Sequence, residues 1–509
     1  MAGPDEPLTR THPSYLPHHR YLLPKGQDRH YQQQYADMYF ARLAQLKPAV
    51  EHVAADAFDN IEVAGESCRR VDRVLDVRQG ELCWVVGTIY MEMPLKPNVL
   101  EDIGKEHWIA APPSRVKYDS GVGFAGEGEK GAHSGAQGGV GTQIMLEDES
   151  GRLRLTGGFL RGCLLVTGAI VAVVGTENKD GDFEVLDLRV PDLPRQPPRW
   201  ERDDGEAALS EARQQDRPHP GKVAILSGLS ISGDDGDTLP LDLLLEYLLG
   251  EAGTPTDQAS AAHITRLIIA GNALSHASPI PSRQDIATAK KSLPGATRKY
   301  GYDAAAYNAA PTDRLDTWLA TLLPSLPITL LPGEHDPTST ALPQQPIHAA
   351  MFPHSRAYMN PPSSSSSPPP TPWFAPTTNP TSFSLAGWSF LGTAGQPVND
   401  MAKYLPSDDR LAMIEALLRW RLVAPTAPDT LWCYPFQDGD QFVLEECPHV
   451  FFVGDQPAFG TEVVEGPAGQ RVRVVAVPSF RDTGEVVVVD LESLECEVLR
   501  FGVFGGEEG

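Results

Sequence analysis

Apolar positions first recur at helical spacing near the start of the chain. Tyr31, Tyr35, Met38, Tyr39, Leu43 and Leu46 fall three or four residues apart, which predicts one amphipathic helix closed at Pro48. Its single stripe docks on another part of the chain or on another subunit, and docking within the chain is the simpler reading. From Val71 the period shortens to two. Arg73–Val77 and Cys83–Ile89 read as strands, Ile144–Leu155 reads as a hairpin turning at Glu149–Gly151, and Leu164–Gly168, Val171–Gly175 and Phe183–Leu188 follow. Five or six short strands punctuated by glycine predict a small all-β barrel of the oligonucleotide/oligosaccharide-binding (OB) type. The second half alternates differently. Val223–Leu226, Leu267–Ala270 and Pro327–Leu331 are continuous apolar strands. Between them, a helix from Pro240 carries Leu241, Leu244, Leu245 and Leu248 on one face and stops at Gly250, and another covers Leu315–Leu323. This alternation predicts a layered α/β domain, in which sites form at the C-terminal ends of strands. A helix over Asp408–Leu422 with Ser407 as its N-cap, and strands at Val450–Val453, Val472–Val477 and Val486–Val489, complete it.

Breaks in these patterns set the expected boundaries. Residues 1–30 are polar, Pro- and His-rich, and expected to be disordered. The helix and barrel take 31–195, interrupted by a Gly-rich insertion at 117–142. That insertion has no strand feeding a GxGxxG turn and a helix, so it reads as a flexible loop rather than a nucleotide site. A linker spans 196–220, and the α/β domain takes 221–509, with a Ser/Pro insertion at 360–380 expected to be disordered.

Composition narrows the function. A chain of 509 residues holds two or three domains. A net charge of −25 repels phosphate backbones, so autonomous tight nucleic-acid binding is disfavoured, while acidity serves solubility or a basic partner. The six cysteines (Cys68, Cys83, Cys163, Cys433, Cys447 and Cys496) form no CxxC pair and sit mostly in apolar runs, which points to reduced, buried thiols. No apolar run approaches the roughly 20 residues of a membrane span, and no signal core opens the chain, so a soluble intracellular protein is expected.

Candidate chemistry centres on Leu330–Pro337, read Leu-Leu-Pro-Gly-Glu-His-Asp-Pro. It resembles the strand-end loop of binuclear metallophosphoesterases, where Gly-Asn-His-Asp/Glu supplies a ligand and a catalytic His. Two-metal hydrolysis needs a bridging carboxylate and several His or Asp ligands around ions about 4 Å apart. The first strand offers Ser227 and Leu229 where Asp-x-His is needed. The second offers Asn272 in place of a bridging Asp, the third offers Glu334 and His335, and no His follows Leu431–Tyr434. The last strand offers Asp455 and Pro457 where Gly-His-x-His is needed. Leucine and proline side chains cannot ligate, and a neutral amide cannot bridge two cations. These seven positions read as a degenerate former metal site with no catalytic residue, no metal and no cofactor, and Glu334 and His335 read as a turn held by hydrogen bonds. No GxSxG, HExxH, P-loop or EF-hand pattern occurs.

With the motifs taken together, the chain resembles the second, non-catalytic subunits of eukaryotic DNA polymerase delta, which are inactive members of the calcineurin-like phosphoesterase family. The resemblance runs over roughly residues 30–500. It rests on Tyr35–Pro48, Leu146–Arg152, Leu226–Leu229, Ala270–Ser275, Leu331–Pro337 with Leu342–His348 and Met351–Pro353, Phe390–Gln396, Leu418–Arg421 with Ala424–Leu431, and Phe452–Pro457. It implies a nuclear scaffold for DNA replication and repair. The barrel and the phosphoesterase-like domain together would grip the C-terminal, cysteine-rich region of the catalytic subunit. They would also hold a third subunit that reaches the sliding clamp, and the family extends to polymerase zeta. Partner-binding residues stay unassigned, DNA is met only within the complex, and no membrane is involved. Two other classes remain open on the residues: a metal-dependent phosphodiesterase built around Glu334, His335 and Asp455, and a single-strand binder using the barrel.

Overall fold

The computed structural model describes residues 8–24, 33–63, 65–97, 117–118, 141–198, 221–233, 238–275, 309–359 and 372–502. A short strand, β1 (Tyr15–His18), precedes the helix α1 (Tyr35–Phe58). The expected stripe is present, but Pro48 lies inside the helix instead of closing it. An interior proline costs about 3 kcal/mol. The cost is offset because the buried stripe continues past it through Val50, Ala54 and Phe58, and full burial of a Val or Phe contributes roughly 1.5–3 kcal/mol each. Phe58 packs on Trp84, whose indole N–H donates to the Asp59 carboxylate at 3.0 Å.

A small hairpin, β2 (Glu62–Val63) and β3 (Glu66–Ser67), leads into β4 (Arg69–Val71) and the long β5 (Leu82–Glu92). The barrel continues with β6 (Gln143–Glu147), β7 (Arg152–Thr156), β8 (Ile170–Glu177) and β9 (Asp182–Arg189). The order β5-β6-β7-β9-β8 closes because β8 also pairs with β5, and β4 is appended to β5. Two expected strands are not strands. Within Arg73–Val77, residues Val74–Asp76 form a 3-10 turn, because the Asp148 carboxylate accepts the Val74 amide at 2.7 Å. Leu164–Gly168 is a connection whose end wraps β5: the Thr167 hydroxyl accepts from the Met91 amide (3.0 Å), and the Gly168 amide donates to the Ile89 carbonyl (2.8 Å).

The second half runs β10 (Lys222–Leu226), α2 (Leu239–Leu249), α3 (Pro255–Ala262), β11 (Ile264–Ala270), α4 (Ala310–Leu322), β12 (Ile328–Leu331) and β13 (Phe374–Pro376). It continues through β14 (Thr381–Leu385), β15 (Trp388–Thr393), α5 (Gln396–Tyr404), α6 (Arg410–Arg419), β16 (Val450–Gln456), β17 (Gly460–Glu465) and β18 (Arg471–Pro478). The short α7 (Phe480–Thr483), β19 (Glu485–Asp490) and β20 (Cys496–Arg500) close the order. Two six-stranded sheets result, ordered β13-β12-β11-β10-β19-β20 and β1-β14-β15-β16-β18-β17. They share one core that includes Ile225, Ile268, Phe383, Phe452, Val475 and Val487. Helices α2 and α4 cover the outer face of the first sheet. On the other side, α5 and α6 belong to a core continuous with α1 and the barrel. Among the described residues no helix is long and apolar enough to cross a membrane.

Three expectations of disorder are corrected in part. Residues 8–24 lie on the α/β domain: β1 pairs with β14, and Arg10 donates to the carbonyls of Ala261 (2.7 Å) and Ile264 (2.6 Å). Within 360–380, residues 374–376 are strand β13, paired with β12, and residues 360–371 lie outside the described residues. Of 117–142, Lys117 donates to the Ala402 and Leu405 carbonyls and the buried Tyr118 donates to Asp400 at 2.8 Å, while residues 119–140 lie outside the described residues. The linker expected at 196–220 is described only to residue 198. Just before it, Arg421 donates to the carbonyls of Pro191, Asp192 and Leu193. The N-cap of α6 is Asp409, not Ser407, with its carboxylate accepting the Ala412 amide at 3.1 Å.

Helix, barrel and α/β domain converge on Arg42. Its buried guanidinium donates to Asp440 (2.6 Å) and to the carbonyls of Pro425 (2.7 Å) and Ala424 (3.4 Å). Arg42→Met strands a buried carboxylate and should destabilise the protein by about 3–5 kcal/mol in urea unfolding. Adding Asp440→Asn should recover part of that loss.

Candidate functional site

Strands β10, β11, β12 and β16 end close together, and each end carries a glycine beside a polar residue. The Ser227 hydroxyl donates to the Ala270 carbonyl (2.7 Å) and accepts the Asp455 amide (2.9 Å), so it stitches β10 to β11 and to the second sheet. Asn272 accepts the His335 amide at 3.2 Å through its side-chain oxygen. Asn272 and Asp455 have φ of 52° and 53°, a left-handed conformation that Asn and Asp tolerate better than most residues. Glycine is required where the ends meet: a Cβ on Gly333 would lie 2.3 Å from the Asn272 amide nitrogen, and one on Gly454 would lie 2.3 Å from the Ala270 carbonyl. Backbone thus occupies the space between these strand ends.

The Leu330–Pro337 turn is held differently from the expectation. Glu334 is exposed. The residue that holds the turn is the buried Asp336, whose carboxylate accepts the amides of Gly333 (2.8 Å), Leu274 (2.9 Å) and Ala273 (3.3 Å). Burial raises its pKa, and those three amides partly oppose the shift. The local signal for this role is an Asp three residues after a turn glycine, close enough to accept its amide.

The structure brings Ser227, Asn272, Glu334, His335 and Asp455 to one edge and leaves two of the seven expected positions apart. Leu229 is buried in the core under α2 and α4, and Pro457 is exposed in the turn after β16. Asp455 accepts the Asn399 amide N–H at 2.9 Å. Burial pushes its pKa up to about 6, with hydrogen bonds from Asn272 and Asn399 opposing and Glu334 and Asp482 adding to the rise. Among the described residues no group of three or more His, Cys, Asp or Glu could hold a metal ion. The donor set fits a metal pair poorly: both oxygens of Asp336 are taken by backbone amides, and Asn272 is neutral.

Other chemistry is equally spent. All six cysteines are free, and burial pushes the thiols of Cys83 and Cys447 up to about 12, far from a reactive thiolate. On the barrel, Arg69, Arg73, Arg154 and Arg189 each pair with a carboxylate, at 3.1, 2.9, 2.7 and 2.8 Å. A groove for a single strand needs such cations unpaired.

Comparisons with known proteins follow the same division. Residues 34–188 match the family described as the DNA polymerase delta subunit OB-fold domain, and residues 223–461 match the family of B-type subunits of DNA polymerases alpha and epsilon. The chain is 33% identical over 472 residues to the DNA polymerase delta small subunit of Arabidopsis thaliana, covering 92% of this chain and 91% of that protein. It is 33% identical over 502 residues to the Saccharomyces cerevisiae small subunit, covering 93% and 91%. It is 32% identical over 484 residues to DNA polymerase delta subunit 2 of Drosophila melanogaster, covering 94% and 95%.

The Asp455 environment sets a pH dependence. An unfolded Asp loses its proton near 3.8, while this one holds it to about 6. Folding therefore weakens as pH rises between those values, and the loss is complete above the upper one. Asp455→Asn should make the protein more stable by on the order of 2 kcal/mol near pH 7.5, after discounting for partial exposure. The gain should shrink towards pH 4.5 in urea titrations run across that range.

Proposed function

Since the chain belongs to the family of DNA polymerase delta small subunits, we propose that it serves that polymerase as an accessory subunit that holds other subunits and performs no catalysis. The observation that carries the reading is the near full-length similarity to such subunits from a plant, a yeast and an insect. It is supported by strand ends whose polar groups are committed to backbone amides and carbonyls.

In this reading the α/β domain is a phosphoesterase-like fold that has lost its metal ligands. Ser227, Leu229, Asn272, Glu334, His335, Asp455 and Pro457 mark the former ligand positions. Barrel and α/β domain act as one body that grips the C-terminal cysteine-rich region of the catalytic subunit, and a third subunit links the assembly to the sliding clamp. The protein works in the nucleus, in DNA replication and repair. Its net charge of −25 keeps it from binding DNA alone and favours basic partner surfaces.

Co-expression with the catalytic and third subunits should yield a complex that survives size-exclusion chromatography. The chain alone, loaded with Mn²⁺ or Zn²⁺, should not turn over a generic phosphodiester. A native protein that purifies without a polymerase partner would overturn the reading. Metal-dependent turnover abolished by His335→Ala would replace it with a phosphodiesterase.

A further inference from the structure

A cleft of about 690 Å³ opens where α1, β5 and the loop at 425–429 meet. The cations lining it are already engaged. Arg42 is committed to Asp440 and two carbonyls. Lys96 donates to the Met91 carbonyl (2.7 Å) and to Asp429 (2.8 Å), and its ammonium sits 4.1 Å from the centre of the Tyr90 ring. Arg152 pairs with Glu147 and lies 4.8 Å from the same ring.

The hydroxyls of the cleft are in the opposite condition. Thr88 is 3% exposed, and its hydroxyl makes no hydrogen bond within the chain. The Tyr39 hydroxyl is also shut from solvent without a hydrogen bond, close enough to Thr88 for that hydroxyl to influence the phenol. Buried polar atoms without partners are rare, because the lost hydration is not replaced. Carboxylates dominate the surroundings: Glu92, Glu147 and Asp429 line the cleft and Asp440 lies behind Arg42, four against the three cations. A group that brings donors and positive charge therefore fits. An apolar ledge adjoins the cleft on α1, where Phe40 is 50% exposed and rests edge-on against Tyr39.

We propose that this cleft receives a lysine or arginine side chain from an extended segment of another polymerase subunit. Thr88 and Tyr39 accept its N–H groups, and the flanking residues of the segment pack on Met93, Pro428 and Phe40. The proposal rests on the reading of the chain as a polymerase subunit, and it adds where one partner is held and by what chemistry.

The test titrates the labelled full chain with the purified catalytic subunit and, separately, with the purified third subunit. Ala36→Trp fills the cleft from an exposed position on α1 and should weaken one of the two bindings about tenfold or more. Thr88→Val should weaken the same binding about threefold or more while leaving the melting temperature of the free chain unchanged or higher. Glu92→Lys should weaken it at about 0.1 M salt, with a loss that shrinks at about 0.5 M. The other partner's binding should not change. If all three variants bind both partners within about twofold of the wild type, the cleft assignment is wrong and the subunit reading stands. If the wild type binds neither partner, both fall.

Discussion

The Arg42 guanidinium fixes how the two halves of the molecule sit. It reaches from α1 into the α/β domain and meets a carboxylate and two carbonyls there, all out of contact with solvent. The barrel is pinned at the same point: a Cβ on Gly168 would lie 1.9 Å from the Pro425 carbonyl and 2.8 Å from Arg42. One apolar core runs without a break from the barrel through α1 to the outer face of the second sheet. A surface shared by barrel and α/β domain is therefore pre-formed, and a partner binding across it does not have to meet the entropy cost of aligning two mobile domains.

The strand ends show the complementary condition. In a hydrolase, polar side chains at such an edge point at a reacting group and leave room for it. Here Ser227, Asn272 and Asp336 point at backbone, and glycines let the strands approach until the space is gone. Asp455 keeps a carboxyl in this setting at a cost in stability near neutral pH. The edge behaves as a seam between sheets.

Much of this was legible in the chain. The period-two and period-3.6 patterns marked the barrel and the α/β layers, and the Gly-polar pairs at 228, 271, 333 and 454 marked the seam. What was missed depends on partners far away in sequence. Pro48 looked like a stop because the burial of Val50, Ala54 and Phe58 beyond it is set by the barrel. Residues 8–24 looked solvated because Arg10 and Tyr15 are buried by elements more than two hundred residues later. Asp336 was passed over for Glu334 and His335 because hydrogen bonding to Ala273 and Leu274 is invisible along one strand. The cleft at Thr88 left no signal, since three separate segments build it.

Strand β1 takes its place beside β14, with His18 bonded to Ser382 across 364 residues, and Arg42 meets Asp440 across 398. During synthesis the chain emerges N-terminus first at roughly 5–20 residues per second. The first strand thus leaves the ribosome tens of seconds before its neighbour exists, and the first helix carries an apolar stripe and a cation without their counterparts for longer still. The opening of this chain is the last part able to finish folding, so the interval before its C-terminal half arrives is when it most needs a chaperone.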